Sequence, residues 1–205
     1  MFTHDATCKP RSREHVTNSP RLARRLSMNE VERIELLSFV VESLNNAGNW
    51  TGRTHIQKFV YFAQEMLALQ SNYEFILYQR GPFSFELDDD IRSLRSAGAV
   101  DIVPAPPYGP RYHLTPFGKS QLEKAPIDGR TATRLATLAY ILSSQKTARD
   151  PELLATTLYV MRQGYESQED VAFRVLNLKP HFTRHQVDQA FASVLQMQER
   201  LAKPT

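Results

Sequence analysis

Three observations predict a mainly helical α+β fold for this chain of 205 residues. Apolar residues recur at helical spacing in three successive segments from Asn29 onward. Two short β-forming runs follow around a proline-rich tip, and every apolar pattern after Pro126 is helical. The length suits one domain, or one domain with a small helical extension, and is enough to bury a full core. No apolar run approaches the roughly 18 residues of a membrane span, and the amino-terminal stretch lacks the hydrophobic segment of a secretory signal. Cys8 is the only cysteine, which excludes an intrachain disulfide framework and a multi-cysteine zinc site. A soluble, cytoplasmic protein with no membrane partner is expected.

Asn29 with Glu32 three residues on is a capping-box signal that opens the first helix. Ile34, Leu37, Val41 and Leu44 continue it and Gly48 ends it. Thr54 with Gln57 repeats the signal and opens a second helix reaching about Leu69, with Ile56, Phe59, Val60, Ala63 and Leu67 on its buried side. Residues 73–79 are rich in aromatic and branched side chains and read as a strand, which Gly81 and Pro82 break. Ser84 caps a third helix, with Leu87, Ile91 and Leu94 inside and Gly98 as its stop. Residues 99–103 and 111–115 form a hairpin whose tip is too proline-rich to pair. Three helices followed by such a wing is the winged helix-turn-helix order.

Beyond Pro126 a helix is predicted over about residues 131–146. Asp150 followed by Pro151 opens another, which Gly164 stops; Ser167 and Thr183 cap two more, parted by Pro180. Their apolar stripes (Leu153, Leu154, Leu158 and Met161; Val187, Ala190, Phe191, Val194 and Leu195) predict that they pack onto the preceding unit. The expected organisation is therefore a basic tail over 1–27, a winged-helix domain over 28–124 and a C-terminal helical extension over 125–205.

Charge is unevenly distributed. Lys9, Arg11, Arg13, Arg21, Arg24 and Arg25 against Asp5 and Glu14 make the tail +4, so the remainder of a chain of net +3 is −1. The tail has two prolines and little apolar periodicity, and disorder is expected there. It reads either as a phosphate-tracking arm or as a leader without a role, with Met28 as an alternative start.

The segment Thr54-His55-Ile56-Gln57-Lys58-Phe59-Val60-Tyr61-Phe62-Ala63-Gln64 resembles the "lQKLlYfaq" helix of YwgA-like proteins and of the related-looking Panacea domain, the SocA-type antitoxin domain. The run from Tyr73 through Tyr78 to Gly81-Pro82-Phe83-Ser84 resembles their strand ending in "YxxGPyS". Leu87-Asp88 through Gly98-Ala99-Val100 is similar to their next helix and strand. Tyr112-His113-Leu114-Thr115-Pro116-Phe117-Gly118 resembles the "YxLTpxG" exit of many wings. Leu154 to Leu158, and Leu178-Lys179-Pro180 before Thr183, resemble the helical extension. The resemblance spans roughly residues 30–200, is closer to the YwgA-like group, and implies a prokaryotic winged helix used as an antitoxin-like or phage-defence-associated adaptor.

The third helix, which in a winged helix enters the DNA groove, begins here with Glu86, Asp88, Asp89 and Asp90. These carboxylates repel phosphate. They read either as complements to the helix dipole or, with Tyr78, Phe83 and Phe85, as a protein-interaction surface for a basic partner, a toxin or defence-system component. DNA is the alternative partner, through Arg92, Arg95, Arg111 and Lys119, with the wing and the basic tail supplying phosphate contacts. In the wing, Tyr112 and Leu114 are expected to alternate inward against an exposed His113, with Arg111 left to either role. Tyr61 and Phe62 sit among the same motifs and read as core or recognition surface. A homodimer is compatible with all of this.

His181 and His185 read as a surface pair rather than a zinc site, because Thr183 between them is a helix cap. No phosphate-binding glycine loop, nucleophile elbow or acid/base dyad is visible. No enzyme, cofactor or metal is expected. A chain truncated to begin at Met28 should melt within a few degrees of the full chain in a circular-dichroism scan; loss of the cooperative transition would show that the tail packs.

Overall fold

The computed structural model describes residues 28–106, 109–143 and 151–203. The basic tail, Tyr108 in the predicted wing and the predicted cap Asp150 lie outside the described residues. The described chain is mostly helical, with two small antiparallel hairpins. In order it runs α1 (Glu30–Asn46), α2 (Arg53–Leu67), β1 (Ile76–Tyr78), β2 (Gly81–Phe83), α3 (Phe85–Ser96), β3 (Val100–Val103), β4 (Arg111–Leu114), α4 (Pro116–Lys124), α5 (Gly129–Ser143), α6 (Pro151–Arg162), α7 (Gln168–Leu178) and α8 (Arg184–Ala202).

The caps explain most boundaries. Asn29 and Glu32 close a full capping box on α1, and Thr183 with Gln186 does the same for α8. Ser84 and Ser167 cap α3 and α7. Gly98 and Gly164 adopt positive φ where α3 and α6 end.

Among the predictions that fail, three do so for a clear physical reason. Thr54 and Gln57 do not cap α2: Gly52 is the N-cap and contributes no side chain, while Gln57 turns inward to another use. Gly81 and Pro82 do not simply end a strand. They start β2, which folds back on β1 with Tyr78 opposite Gly81 and Ile76 opposite Phe83. Finally, Thr115 caps a helix, α4, where only the end of the wing was expected.

The turn from β4 into α4 shows why Thr115 and Gly118 occur together. The Thr115 amide and hydroxyl reach back to the Ala99 carbonyl, and the hydroxyl also bonds the Gly98 carbonyl at 2.7 Å. This pulls the first turn of α4 onto the start of β3. A Cβ on Gly118 would lie 2.0 Å from the Ala99 oxygen, so only glycine fits.

Packing joins the two ends of the chain. α1 touches α2, α3, α4, α5 and β4, whereas α6 touches α2, β2, α7 and α8. Buried apolar residues include Leu36, Leu37, Val40 and Val41 of α1, Phe59 and Val60 of α2, Leu87 and Ile91 of α3, and Leu154, Val187 and Val194 of the later helices. Leu195, assigned to the apolar stripe of α8, instead faces outward. Gly118→Ala should lower the unfolding free energy by about 3 kcal/mol in urea denaturation, the upper range for an overpacked position.

Candidate functional site

α2 is buried on nearly every side from Ile56 to Ala63, so its polar residues there must find partners within the protein. Gln57 finds them in the backbone of Ser84. Its amide nitrogen donates to the Ser84 carbonyl at 2.9 Å and its oxygen accepts from the Ser84 N–H at 3.0 Å. Lys58, only 2% exposed, donates from Nζ to the Pro82 carbonyl at 2.7 Å. The two neighbouring side chains therefore hold β2 and the start of α3 by their main chain.

A second lysine holds the other side of the hairpin. Lys179, at the C-terminal end of α7, donates from Nζ to the carbonyls of Tyr78 and Gln79. Its charge is balanced by Glu152 of α6 at 2.8 Å. Gly81 makes this approach workable. It has a φ of 80°, and a Cβ there would crowd Thr156 Oγ1 at 3.0 Å and the Glu152 carbonyl at 3.2 Å.

The gripped hairpin displays aromatic rings. Phe83 stacks edge-on against Phe85 at 5.1 Å between centroids, and Tyr78 lies 5.7 Å from Phe83 and 5.8 Å from Phe85. Tyr78 remains 47% exposed and Phe85 57%. By contrast Tyr61 and Phe62 are core. Between the hairpin and the start of α2 lies an open pocket of about 340 Å³, lined by these three rings together with Arg53, Thr54, Lys58, Gln79, Arg80 and Gly81. Arg53 also sits over the Phe83 ring at 5.6 Å.

The acidic start of α3 is not the surface that its sequence suggests. Asp88 is 1% exposed and accepts from both Arg53 and Arg92. Asp90 is 6% exposed and accepts at 2.8 Å from Arg33 Nε and at 2.8 Å from the Tyr73 hydroxyl. Burial, and then that hydrogen bond, hold the Tyr73 phenol above its ordinary range. Of the three aspartates only Asp89 is exposed, where it pairs with Arg92. The expected acidic patch for a basic partner is thus corrected: Asp88 ties α3 to α2, and Asp90 ties it to α1.

The candidate DNA contacts are scattered in their roles. Arg111 lies 4.9 Å from the Trp50 ring and donates to the Asn49 carbonyl at 2.8 Å, which pins β4 to the loop after α1. Arg92 is engaged by Asp88 and Asp89. Arg95 and Lys119 are exposed. Tyr112 is buried and Leu114 is half-buried, as the alternation predicts, but His113 is half-buried rather than exposed. His181 and His185 are exposed, His181 preceding α8 and His185 in its first turn; among the described residues no group of three or more metal-ligating side chains comes together.

Sequence reasoning missed Gln57, Lys58, Arg53, Arg80 and Lys179 as parts of this site. One signal was present for the first two. Tyr61 and Phe62 make the apolar surface of α2 run around the helix, so polar residues inside that stretch are enclosed. No protein-family model matches the chain, and the comparison with curated proteins gives no match.

Two outcomes are expected. Gln57→Leu strands the buried Ser84 N–H, while the Ser84 carbonyl keeps the Asp88 N–H, and should cost about 1–3 kcal/mol by urea denaturation. Burial lowers the Lys58 ammonium to about 8, an effect that Glu152 partly offsets and Lys179 and Arg80 reinforce. The charged form is then penalised in the fold but not in the unfolded chain. Stability should therefore rise with pH between about 8 and 10.5. Across that window wild type should gain stability relative to Lys58→Met.

Proposed function

We propose that this protein is a non-enzymatic interaction module of winged-helix order, with the β1–β2 hairpin as its docking face. The order α1, α2, α3 and then the β3–β4 hairpin supports the winged-helix reading. So does the resemblance to YwgA-like and Panacea proteins, whose motif residues Gln57, Lys58, Gly81, Pro82, Ser84 and Lys179 meet at one hairpin. The observation that carries the function is the exposed ring cluster. Two large aromatic side chains, Tyr78 and Phe85, stand in solvent on a backbone held by buried side chains. Rigid aromatic groups of this kind anchor partners by burying apolar area at little entropic cost.

The partner chemistry differs from that expected of an acidic helix. Asp88 is internal, while Arg53 and Arg80 face the pocket beside the rings. A partner segment with apolar anchors and an acidic flank, such as part of a toxin or defence-system protein, fits this face. Arg92 and Arg111 are committed to protein contacts, which weakens the alternative in which α3 and the wing bind DNA.

The test compares the full chain with Tyr78→Ala and Phe85→Ala as baits in extracts of the native host. Both variants should melt like wild type and lose a partner that wild type retains. If both keep every partner, while Arg95→Ala or Lys119→Ala abolishes binding to a specific duplex, the protein is a DNA-binding regulator instead.

A further inference from the structure

The pocket at the hairpin has a composition that a flat protein-docking face does not require. Three cationic side chains, Arg53, Lys58 and Arg80, and three aromatic rings, Tyr78, Phe83 and Phe85, line it, and no acidic side chain is among its lining residues. At about 340 Å³ it falls within the roughly 300–1,000 Å³ of small-ligand sites. From this pairing of cations and rings we infer that the pocket binds a small planar aromatic ligand bearing a phosphate, the class to which nucleoside monophosphates belong.

The charge balance supports an anion. Arg92, which does not line the pocket, is matched by Asp88 and Asp89, whereas Arg53 lines it while pairing with Asp88 from behind, and no carboxylate lines the pocket with it. Arg80 adds a further guanidinium from the β1–β2 turn. Two arginines present several donors in fixed forks, which matches the oxygens of a phosphate better than a single carboxylate. The start of α2 faces the same space through Arg53 and Thr54, and no side chain caps it. Gly52 keeps that end bare, because a Cβ there would lie 3.1 Å from the Trp50 ring. Amides at a bare helix start add to the attraction for an anion.

The rings supply the other half of the recognition. Phe85 and Tyr78 are exposed and tilted against each other, at an interplanar angle of 66°, so the cluster offers a ring face as well as edges. A base plane can stack there while its phosphate reaches Arg53 and Arg80. Phe83 and Phe85 belong to both pocket and docking face, so a bound ligand alters the surface offered to a protein. The ligand site itself requires no partner.

Calorimetric titration of the full chain with adenosine 5′-monophosphate, adenosine and inorganic phosphate tests the inference. The mononucleotide should bind, weaken as salt is raised, and lose about tenfold or more in affinity in Arg80→Ala and in Phe85→Ala, one charge-assisted bond or one stacking contact each. Both side chains are exposed and are expected to leave the melting transition in place. Adenosine and phosphate should each bind at least about tenfold more weakly than the mononucleotide. No heat at millimolar mononucleotide overturns the inference, as does binding that survives both substitutions unchanged. Phosphate binding as tightly as the nucleotide would remove the planar group from the assignment and overturn it. A single-stranded oligonucleotide binding far more tightly than the mononucleotide would likewise replace the small ligand with a nucleic acid. None of these outcomes depends on whether Tyr78→Ala loses a protein partner.

Discussion

Main-chain hydrogen bonds from the buried side chains of Gln57 and Lys58 are the constraint on which the rest of this structure depends. β1 and β2 are three residues each, too short to be stable as an isolated hairpin. Their backbone is held by an amide and two ammonium groups from α2 and α7. The bonds made by Gln57 and Lys58 are withdrawn from solvent, so leaving one of their partners unpaired is costly. The return is a turn whose conformation is set independently of its own side chains. That independence frees Tyr78, Phe83 and Phe85 to face outward without unravelling the element that bears them.

α3 is governed by a related economy of charge. Its carboxylates answer to Arg53 on one neighbour and Arg33 on another, so the helix is oriented by ion pairs as well as by Leu87, Ile91 and Leu94. Buried pairs of this sort add little net stability against a hydrophobic substitute. They do favour one arrangement of three helices, because Asp88 and Asp90 gain their second donor, Arg53 or Arg33, only when both elements are in place.

The helices were legible because their signals are local. Asn29, Ser84, Ser167 and Thr183 cap the helices they were expected to cap, and Gly98 and Gly164 end theirs. The division of Tyr61 and Phe62 from the outward rings was readable at the level of candidates. What escaped was non-local. Whether Asp88 meets solvent or Arg53 depends on a contact between residues 35 apart, and the use of Gln57 depends on a backbone 27 residues away. The same amide reads as a capping residue from its spacing and as a clamp from its surroundings. β2 was hidden for another reason: Gly81 and Pro82 are poor strand formers, and pairing there is imposed from outside.

Lys179 reaches the Tyr78 carbonyl across 101 positions of sequence. A ribosome delivers the chain in order, so the turn emerges long before the ammonium group that completes it. Until α7 has left the exit tunnel, the Tyr78 and Gln79 carbonyls lack the donor that Lys179 supplies. Contacts of such long span slow the final closure of a fold. The turn is therefore closed in two instalments, first from α2 by residues made before it and last from α7 by a residue made long after it.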